Sequence, residues 1–247
     1  MIFKDINVSF GRYGNSKMYV SELNEVLELQ KNNNIVQSAV VDNTTAKCDV
    51  KLRNNQLLKT ASVRTDIVPA ITLFPPTFTM EAYTKNELAS IIDNTKKIFF
   101  KIFATDHHIM LASWQFGWMF DMLEESNCSL LVKLDDIDIR DLAEIKAERP
   151  KLRIIITNTT QWKNRMLTQL IKTYPNIYMD TCNVIEYFGI ELYCREIGSE
   201  KILFGSNSPF KEPYDGIFTL SMAEITNDEK ENIAFRNFDR LAGRSEF

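Results

Sequence analysis

Residues 150–158 have the sequence Pro-Lys-Leu-Arg-Ile-Ile-Ile-Thr-Asn, and this stretch shows the unit from which the fold is built. The proline ends any preceding helix, because the residue before a proline is driven away from helical backbone angles. The run Arg153–Thr157 is short, β-branched and bounded by polar residues, as a buried strand is. Similar runs recur along the whole chain at Ile2–Val8, Ile35–Val41, Ile67–Phe74, Lys97–Phe103, Ser129–Leu134, Asn176–Thr181 and Lys201–Gly205.

The segments between these predicted strands have helical periodicity, for example at Val20, Leu23, Val26 and Leu27. Successive predicted strands begin 23 to 33 residues apart, which is the length of a strand plus a crossover helix. Eight such units in 247 residues predict a single (β/α)8 barrel, regular or distorted, over residues 1–247. A doubly wound sheet is the alternative, but the first turn, residues 10–14, does not match its glycine-rich phosphate loop.

The composition, 45% hydrophobic and 25% charged, is typical of a folded domain with a sizeable core. A net charge of −4 without a basic block argues against a nucleic-acid partner. The apolar runs are too short to span a membrane, and no signal-peptide pattern begins the sequence. Four scattered cysteines without a Cys-x-x-Cys pair indicate a reducing compartment, so we expect a cytoplasmic protein.

Polar residues follow the predicted strands at the carboxyl ends, where (β/α)8 barrels carry their active sites. Because alternate residues of a strand face the same side, Asn7 and Ser9 are predicted to share one face. The only two histidines of the sequence are adjacent, His107 and His108, so this end lacks a histidine cluster. The polar strand-end residues are Asn7, Ser9, Asp42, Asn43, Lys101, Asp106, Lys133, Asp135, Asn158, Asp180, Cys182 and Asn207.

Several of these residues lie in longer motifs. Asp5-Ile-Asn7-Val-Ser9-Phe-Gly11 resembles the strand-1 motif Asp-x-His-x-His-x-Gly of the amidohydrolase superfamily, in its amidohydrolase-2 branch of metal-dependent TIM barrels. Residues 174–180, Tyr-Pro-Asn-Ile-Tyr-Met-Asp, are similar to that family's Tyr-Pro-Asn-Val-Tyr-x-Asp. Residues 202–209, Ile-Leu-Phe-Gly-Ser-Asn-Ser-Pro, resemble its Ile-Leu-Phe-Gly-Ser-Asp-x-Pro. The resemblance covers nearly the whole chain, implies a TIM barrel, and is compatible with a homo-oligomer.

The resemblance also locates the residues that bind metal in the family. It puts the two strand-1 histidines on Asn7 and Ser9, the strand-5 ligand on Lys133, the strand-6 histidine on Asn158, and the strand-8 aspartate, a ligand and base, on Asn207. Amides and a hydroxyl are poor ligands for an ion that prefers imidazole and carboxylate, and an amide cannot act as a general base. We therefore expect no metal and no other cofactor. The amides either form a cup for a polar ligand or simply bond one another.

The two lysines each have two interpretations. Lys133 is a base or Schiff-base amine if burial lowers its pKa, or a structural cation paired with a carboxylate such as Asp135 or Asp180. Lys101 binds a carboxylate or phosphate as a point charge, or it pairs with Asp106.

The loops after the strands add further candidates. Asp106 and His107 form an acid/base pair, or His107 is an exposed residue without a role. Arg12 and Tyr13 clamp an anionic substrate, or they face solvent.

The preferred hypothesis is a metal-free, diverged barrel that binds a small polar, anionic molecule at the strand ends. If it is an enzyme, we expect a hydrolase or lyase in which Lys133, Lys101, and Asp106 or His107 move protons. The predicted substrate-binding residues are Asn7, Ser9, Asn158, Asn207, Arg12, Tyr13 and Asp180. One alternative is a non-catalytic binding or regulatory protein with the same cavity. Another is a metal-dependent hydrolase whose ligands are carboxylates such as Asp42, Asp106, Asp135 or Asp180.

Overall fold

The computed structural model describes residues 1–14, 19–160 and 163–243, and its centre is one sheet of eight parallel strands. The strands pair in sequence order, each with the next. The segment after the last strand returns to the first, where Ile6 N donates to Phe204 O (3.0 Å) and Ser9 N donates to Ser208 O (2.9 Å). The strands are β1 (Phe3–Phe10), β2 (Ile35–Asp42), β3 (Ile67–Thr72), β4 (Phe99–Ile102), β5 (Ser129–Lys133), β6 (Arg153–Thr157), β7 (Ile177–Asp180) and β8 (Ile202–Leu203).

Helices follow the strands and cover the outside of the sheet, so the predicted (β/α)8 barrel is confirmed. Within the described ranges, none of the helices is long and apolar enough to cross a membrane. The helices are α1 (Leu23–Asn32), α2 (Val50–Ala61), α3 (Lys85–Asn94), α4 (Ala104–His107), α5 (Ser113–Glu125), α6 (Ile139–Glu148), α7 (Asn164–Thr173), α8 (Gly189–Ile197), α9 (Pro213–Met222), α10 (Asn227–Glu231) and α11 (Asn237–Ala242).

The strand boundaries agree with the sequence pattern to within a few residues. β6 has the predicted bounds. β8, Ile202–Leu203, begins one residue later and ends two residues earlier than the predicted Lys201–Gly205. The chain leaves the ladder there because Phe204 N donates to Ile233 O (2.9 Å), and the Phe204 carbonyl accepts from β1 instead. The short β8 therefore still contributes to barrel closure.

Strand β1 contains an irregularity that the sequence pattern does not reveal. From Asp5 opposite Ser38 to Val8 opposite Val40, β1 uses one residue more than β2, after a shift of opposite sense between Phe3 and Lys4. Such a bulge rotates the following side chains relative to regular alternation. Ile6 packs in the barrel interior, while Val8 packs outward in the cluster beneath α1.

The barrel interior is filled by apolar side chains and is closed at the amino ends of the strands by α11. Phe99, Leu131 and Ile155 belong to one buried cluster with Phe238 and Leu241 of α11. The rings of Phe99 and Phe238 lie edge to face with centroids 5.4 Å apart, a favourable aromatic geometry. Among the described residues, the barrel interior is therefore packed at the amino ends of the strands, and the cavity inside the barrel lies toward their carboxyl ends.

Candidate functional site

A cavity of about 220 Å³ opens at the carboxyl ends of the strands. Its walls combine polar side chains with the apolar surfaces of Val41, Phe103 and Phe210. The structure brings eight of the predicted site residues together around it. These are Asn7, Ser9, Tyr13, Lys101, Asp106, Lys133, Asn158 and Asn207.

Three predicted site residues do not line this cavity. Arg12 is exposed to solvent, and Asp180 is completely buried. His107 lies in the short helix α4, where its Nε2 is 2.7 Å from Thr45 O and its ring packs edge-on against Phe74 with centroids 4.9 Å apart. Burial lowers the pKa of His107. The imidazole is thus a neutral packing group that donates to a backbone carbonyl.

Asp180, at the end of β7, connects two of the strand-end amides. Asn7 Nδ2 donates to Asn158 Oδ1 (2.7 Å) and to Asp180 Oδ2 (2.8 Å), and the backbone N–H of Asn158 donates to Asp180 Oδ1 (3.1 Å). A Cβ at Gly205 would lie 2.8 Å from this carboxylate, so the glycine makes room for it. Burial raises the pKa of Asp180 to about 8, although the bonds from Asn7 and Asn158 act in the opposite direction.

Asp5 is a second buried carboxylate, and the sequence interpretation assigned it no role. Its Oδ1 accepts from the backbone N–H groups of Asn7 (2.9 Å) and Ser206 (3.0 Å). Burial raises its pKa to about 7. The available signal was an ionisable side chain inside a run of buried strand residues, which is rare unless the group is hydrogen-bonded.

Asn43, directly after β2, is a further site residue that the sequence hypothesis did not include. Its Nδ2 donates to Ser9 Oγ (2.9 Å), and Ser9 Oγ is 3.4 Å from Ser208 O, to which it donates. The strand-end position of Asn43 was visible in the sequence. Its partner was not, because Ser9 lies on the neighbouring strand.

The two lysines lie on adjacent strands, at the ends of β4 and β5. Lys101 is only 7% exposed, and its Nζ donates to Thr157 Oγ1 (3.1 Å). Burial lowers the pKa of Lys101 to about 8, with Asp136 and Asp180 opposing the shift and Lys133 adding to it. Lys133 is half-buried.

The ion pairs considered for these lysines are formed by other residues. Asp106 pairs with Lys47 (2.7 Å), and Asp135 pairs with Lys163 (3.4 Å). Within the described part of the chain, neither Lys101 nor Lys133 has a carboxylate within ion-pair distance. The cavity therefore contains two cationic side chains without an ion-pair partner.

At the rim of the cavity, Tyr13 connects Asp106 and Phe210 through a hydrogen bond and a ring contact. Tyr13 OH donates to Asp106 Oδ2 (2.8 Å), and the Tyr13 ring meets Phe210 edge to face, with centroids 5.7 Å apart. Although burial opposes it, bonds from Lys47 and Tyr13 lower the pKa of Asp106. Asp106 is thus an ionised rim carboxylate whose two oxygens are already occupied.

Two of the strand-end asparagines have an unusual backbone conformation. Asn158 has φ = 55° and Asn207 has φ = 61°, both in the left-handed region that asparagine, aspartate and histidine enter more readily than other non-glycine residues. The backbone turn after β6 aims the Asn158 side chain toward Asn7, and Asn207, after β8, also lines the cavity.

The described residues contain no group of three or more His, Cys, Asp and Glu side chains placed to hold a metal ion. The carboxylates considered as alternative ligands are dispersed. Asp180 lies under the amides, Asp106 and Asp135 are in ion pairs, and Asp42 Oδ1 accepts from Thr44 N (2.9 Å).

The fold is similar to that of solved amidohydrolase and decarboxylase structures. No protein-family model matches the sequence, and no curated protein matches it. A 2,6-dihydroxybenzoate decarboxylase from Rhizobium is 14% identical with a TM-score of 0.72 over 98% of both chains. A dihydroxybenzoic acid decarboxylase from Polaromonas with bound manganese and 2-nitroresorcinol is 11% identical, with a TM-score of 0.73 over 97% of this chain and 96% of that one.

A protein described as amidohydrolase II is 14% identical, with a TM-score of 0.70 over 97% of this chain and 99% of that chain. At these identities the likeness establishes the architecture, and function has to be argued from the site. The strand motifs resembled those of amidohydrolases, and the similar solved structures include amidohydrolases and related decarboxylases. The chain therefore has the same (β/α)8 barrel fold as these amidohydrolase and decarboxylase structures.

Proposed function

We propose that this protein binds a small organic anion in the strand-end cavity and that Lys101 and Lys133 hold it. The observation that carries the proposal is the pair of lysines without ion-pair partners at a polar cavity. Lys101 is buried and loses hydration, and the attraction from Asp136 and Asp180, neither of which forms an ion pair with it, offsets this cost only in part because its pKa is still lowered. A carboxylate from a ligand offsets this cost.

The size and walls of the cavity support a compact ligand. Its volume of about 220 Å³ lies below the range of about 300–1,000 Å³ found for drug-sized ligands. Phe103 and Phe210 supply apolar surface on which an aromatic or aliphatic body can pack. A benzoate-sized carboxylate fits this description.

We further propose that binding needs no tightly held divalent ion, although the Polaromonas neighbour contains manganese. The residues at the positions of the family's ligands do not fit such an ion. The Asn7 side chain donates hydrogen bonds to Asn158 and Asp180. Ser9 Oγ accepts a hydrogen bond from Asn43 and donates one to Ser208 O. The two other residues at those positions, Lys133 and Asn207, offer a metal ion an amine and an amide rather than an imidazole and a carboxylate.

A reaction at this site would use the chain's own titratable groups. The pKa of Lys101, lowered by burial to about 8, lies in the range in which an amine transfers protons efficiently at neutral pH. Lys101 is thus our candidate proton donor or acceptor in a hydrolase or lyase reaction. A ligand that binds and is recovered unchanged identifies the non-catalytic alternative.

Calorimetry with three probes tests the proposal. We expect benzoate and 2,6-dihydroxybenzoate to bind and resorcinol, which lacks the carboxylate, to bind at least tenfold more weakly. Lys133→Gln should weaken both carboxylates, whereas the matched control Lys163→Gln, outside the cavity, should not. Equal binding of resorcinol and 2,6-dihydroxybenzoate would contradict anion recognition.

The metal-free part is tested with the same probes and elemental mass spectrometry. We expect less than one divalent ion per ten chains after dialysis against zinc or manganese, and carboxylate affinity that is unchanged by a chelator. One tightly held ion per chain, or binding that disappears with the chelator, would overturn this part. Chromatography of the incubated ligand then shows whether it is converted.

A further inference from the structure

A second cavity, of about 740 Å³, lies between α1 and the segment that precedes β3. Leu27, Gln30 and Lys31 of α1 form one wall, residues 63–66 form the other, and the start of β2 lies between them. We call this cavity the α1 groove. It is at the amino ends of β2 and β3, whereas the anion cavity is at the carboxyl ends of the strands.

Hydrogen bonds hold the two walls of the α1 groove in place. Ser38 N of β2 donates to Asp66 O (2.9 Å), and Gln37 Nε2 donates to Thr65 O (2.8 Å). Arg64 donates to the Asp66 carboxylate through Nε (2.9 Å) and Nη2 (2.6 Å). The groove is therefore preformed, and the charges of Arg64 and Asp66 compensate each other.

Gln30 lies in this groove with a side-chain amide that has no partner. The residue is only 2% exposed, and neither Nε2 nor Oε1 has a hydrogen-bond partner within the described part of the chain. Burying an amide in this way costs free energy, because the group gives up its bonds to water and forms none in return. Buried polar side chains are hydrogen-bonded in the large majority of cases. Gln30 thus holds one donor group and one acceptor in reserve.

The Gln30 amide can reach the groove without a movement of α1. The residue lines the groove, and its side chain turns about three single bonds. Within the described ranges, no hydrogen bond fixes the amide in its buried position. A molecule in the groove can therefore draw the amide outward and bond both of its polar atoms.

The remaining walls are suited to the body of a small uncharged molecule. Val36 and Val63, which are 47% and 83% exposed, add apolar surface to that of the buried Leu27 and Ile35. The volume of about 740 Å³ lies within the range of about 300–1,000 Å³ found for ligand pockets. Lys31 is exposed to solvent, so its charge is hydrated and needs no anion.

We infer that the α1 groove binds a flat, neutral ligand that presents a hydrogen-bond donor beside an acceptor on one edge. Primary carboxamides and nucleobases share such an edge, and it pairs with both atoms of a glutamine amide, as adenine does with asparagine or glutamine. Gln30 is the residue that recognises the edge, and the valines pack against the flat body. This site is independent of anion binding at the strand ends.

Calorimetry with two matched pairs of probes tests recognition of the edge. The pairs are benzamide with N,N-dimethylbenzamide and 9-methyladenine with its N6,N6-dimethyl derivative, in which methyl groups remove the donor. We expect at least one unmethylated probe to bind at least fivefold more tightly than its methylated partner, as a satisfied hydrogen bond would give. Binding by benzamide alone identifies a carboxamide site, and binding by 9-methyladenine alone identifies a nucleobase site. Lys101→Met, which alters the strand-end cavity, should leave these affinities within twofold.

Gln30→Met tests the residue itself, because methionine keeps the length of the side chain and removes the amide. We expect the affinity for the unmethylated probe to fall at least tenfold. The midpoint of thermal unfolding should rise, since two unpaired polar atoms are replaced by an apolar group. The matched control Gln169→Met, at an exposed position of α7, should change neither quantity.

Three results would overturn the inference, and none of them bears on anion binding. The first is that none of the four probes binds, or that the members of each pair bind equally. The second is an affinity that survives Gln30→Met, since the ligand would then lie elsewhere. The third is a Gln30→Met protein that is less stable than wild type or does not fold, which would show that the amide has a partner inside the protein, such as a buried water.

Discussion

The two ends of the barrel differ in whether the lysines that lie there form ion pairs. At the amino ends of the strands, Lys4 and Lys97 both pair with Asp239, at 2.6 Å and 2.7 Å, above an interior sealed by Phe238. At the carboxyl ends, Lys101 and Lys133 have no such partner among the described residues. The two lysines at the amino end are therefore paired within the chain, whereas the two at the cavity are not, and we propose that a ligand pairs with them. Stability and binding should be separable by mutation.

Phe238→Ala tests the sealed end and should have the largest effect on stability. The ring is fully buried and packs on Phe99, so its removal leaves a cavity in the core. We expect the free energy of unfolding to fall by about 3–5 kcal/mol, measured by urea denaturation. Carboxylate affinity of the folded fraction should stay within twofold. A selective loss of affinity at unchanged stability would contradict the separation of the two ends.

The open end should give the protein an unusual dependence of stability on pH. The folded-state pKa of Asp180 is raised to about 8 and that of Asp5 to about 7, so the folded chain holds protons that the unfolded chain releases near pH 4. The free energy of unfolding therefore falls as pH rises from about 4 to about 8. Lys101, with its pKa lowered to about 8, has the opposite sign, and stability recovers between about pH 8 and pH 10.

Urea denaturation at a series of pH values checks this expectation. Wild-type stability should pass through a minimum near pH 8. Asp180→Asn removes one of the groups and should flatten the fall between pH 5 and pH 8. A stability that rises steadily over that interval would show that these carboxylates are ionised in the folded protein.

Lys101→Met should separate binding from stability most clearly. Replacing a buried cation that has no ion-pair partner with an apolar side chain of similar length should leave stability unchanged or raise it by about 1–2 kcal/mol. Carboxylate affinity should fall at least tenfold in calorimetry. The matched control Lys97→Met, at the sealed end, should leave affinity unchanged. If Lys101→Met binds carboxylates normally, the lysine is structural.

Asp239→Asn should have the smallest effect. Its carboxylate is partly exposed and pairs with two lysines that are also partly exposed, and such surface pairs contribute about 0–1 kcal/mol. Thermal and urea denaturation should therefore show a loss below about 1 kcal/mol. A larger loss would mean that the ion pairs, and not only the apolar packing of α11, close this end.

Much of the architecture could be predicted from the sequence because strand periodicity is a local property. The bounds of β6 were predicted directly, and Asn7 and Ser9 both line the cavity as alternation suggested. The bulge in β1 was not predictable, because it is defined by the register with β2. The hydrogen bonds of Asp5 were hidden for a similar reason, since Ser206 lies 201 residues away.

His107 shows the limit of placing side chains by strand ends. The sequence put it just after a strand, near the expected site, but the chain turns there into the one-turn helix α4 and directs the ring toward Thr45. The roles assigned to the cavity residues stay predictions until ligands are measured. So do the cytoplasmic location, the absence of nucleic-acid partners and the oligomeric state.

The left-handed backbone at Asn158 and Asn207 has a consequence for how this site can change. Asparagine, aspartate and histidine enter this conformation more readily than other non-glycine residues, so the backbone favours polar side chains at both positions whatever the cavity binds. Asparagine codons become aspartate or histidine codons by one base change. A histidine at 158 and an aspartate at 207, the residue types that the family motifs carry, are thus each one mutation away and compatible with the existing turns.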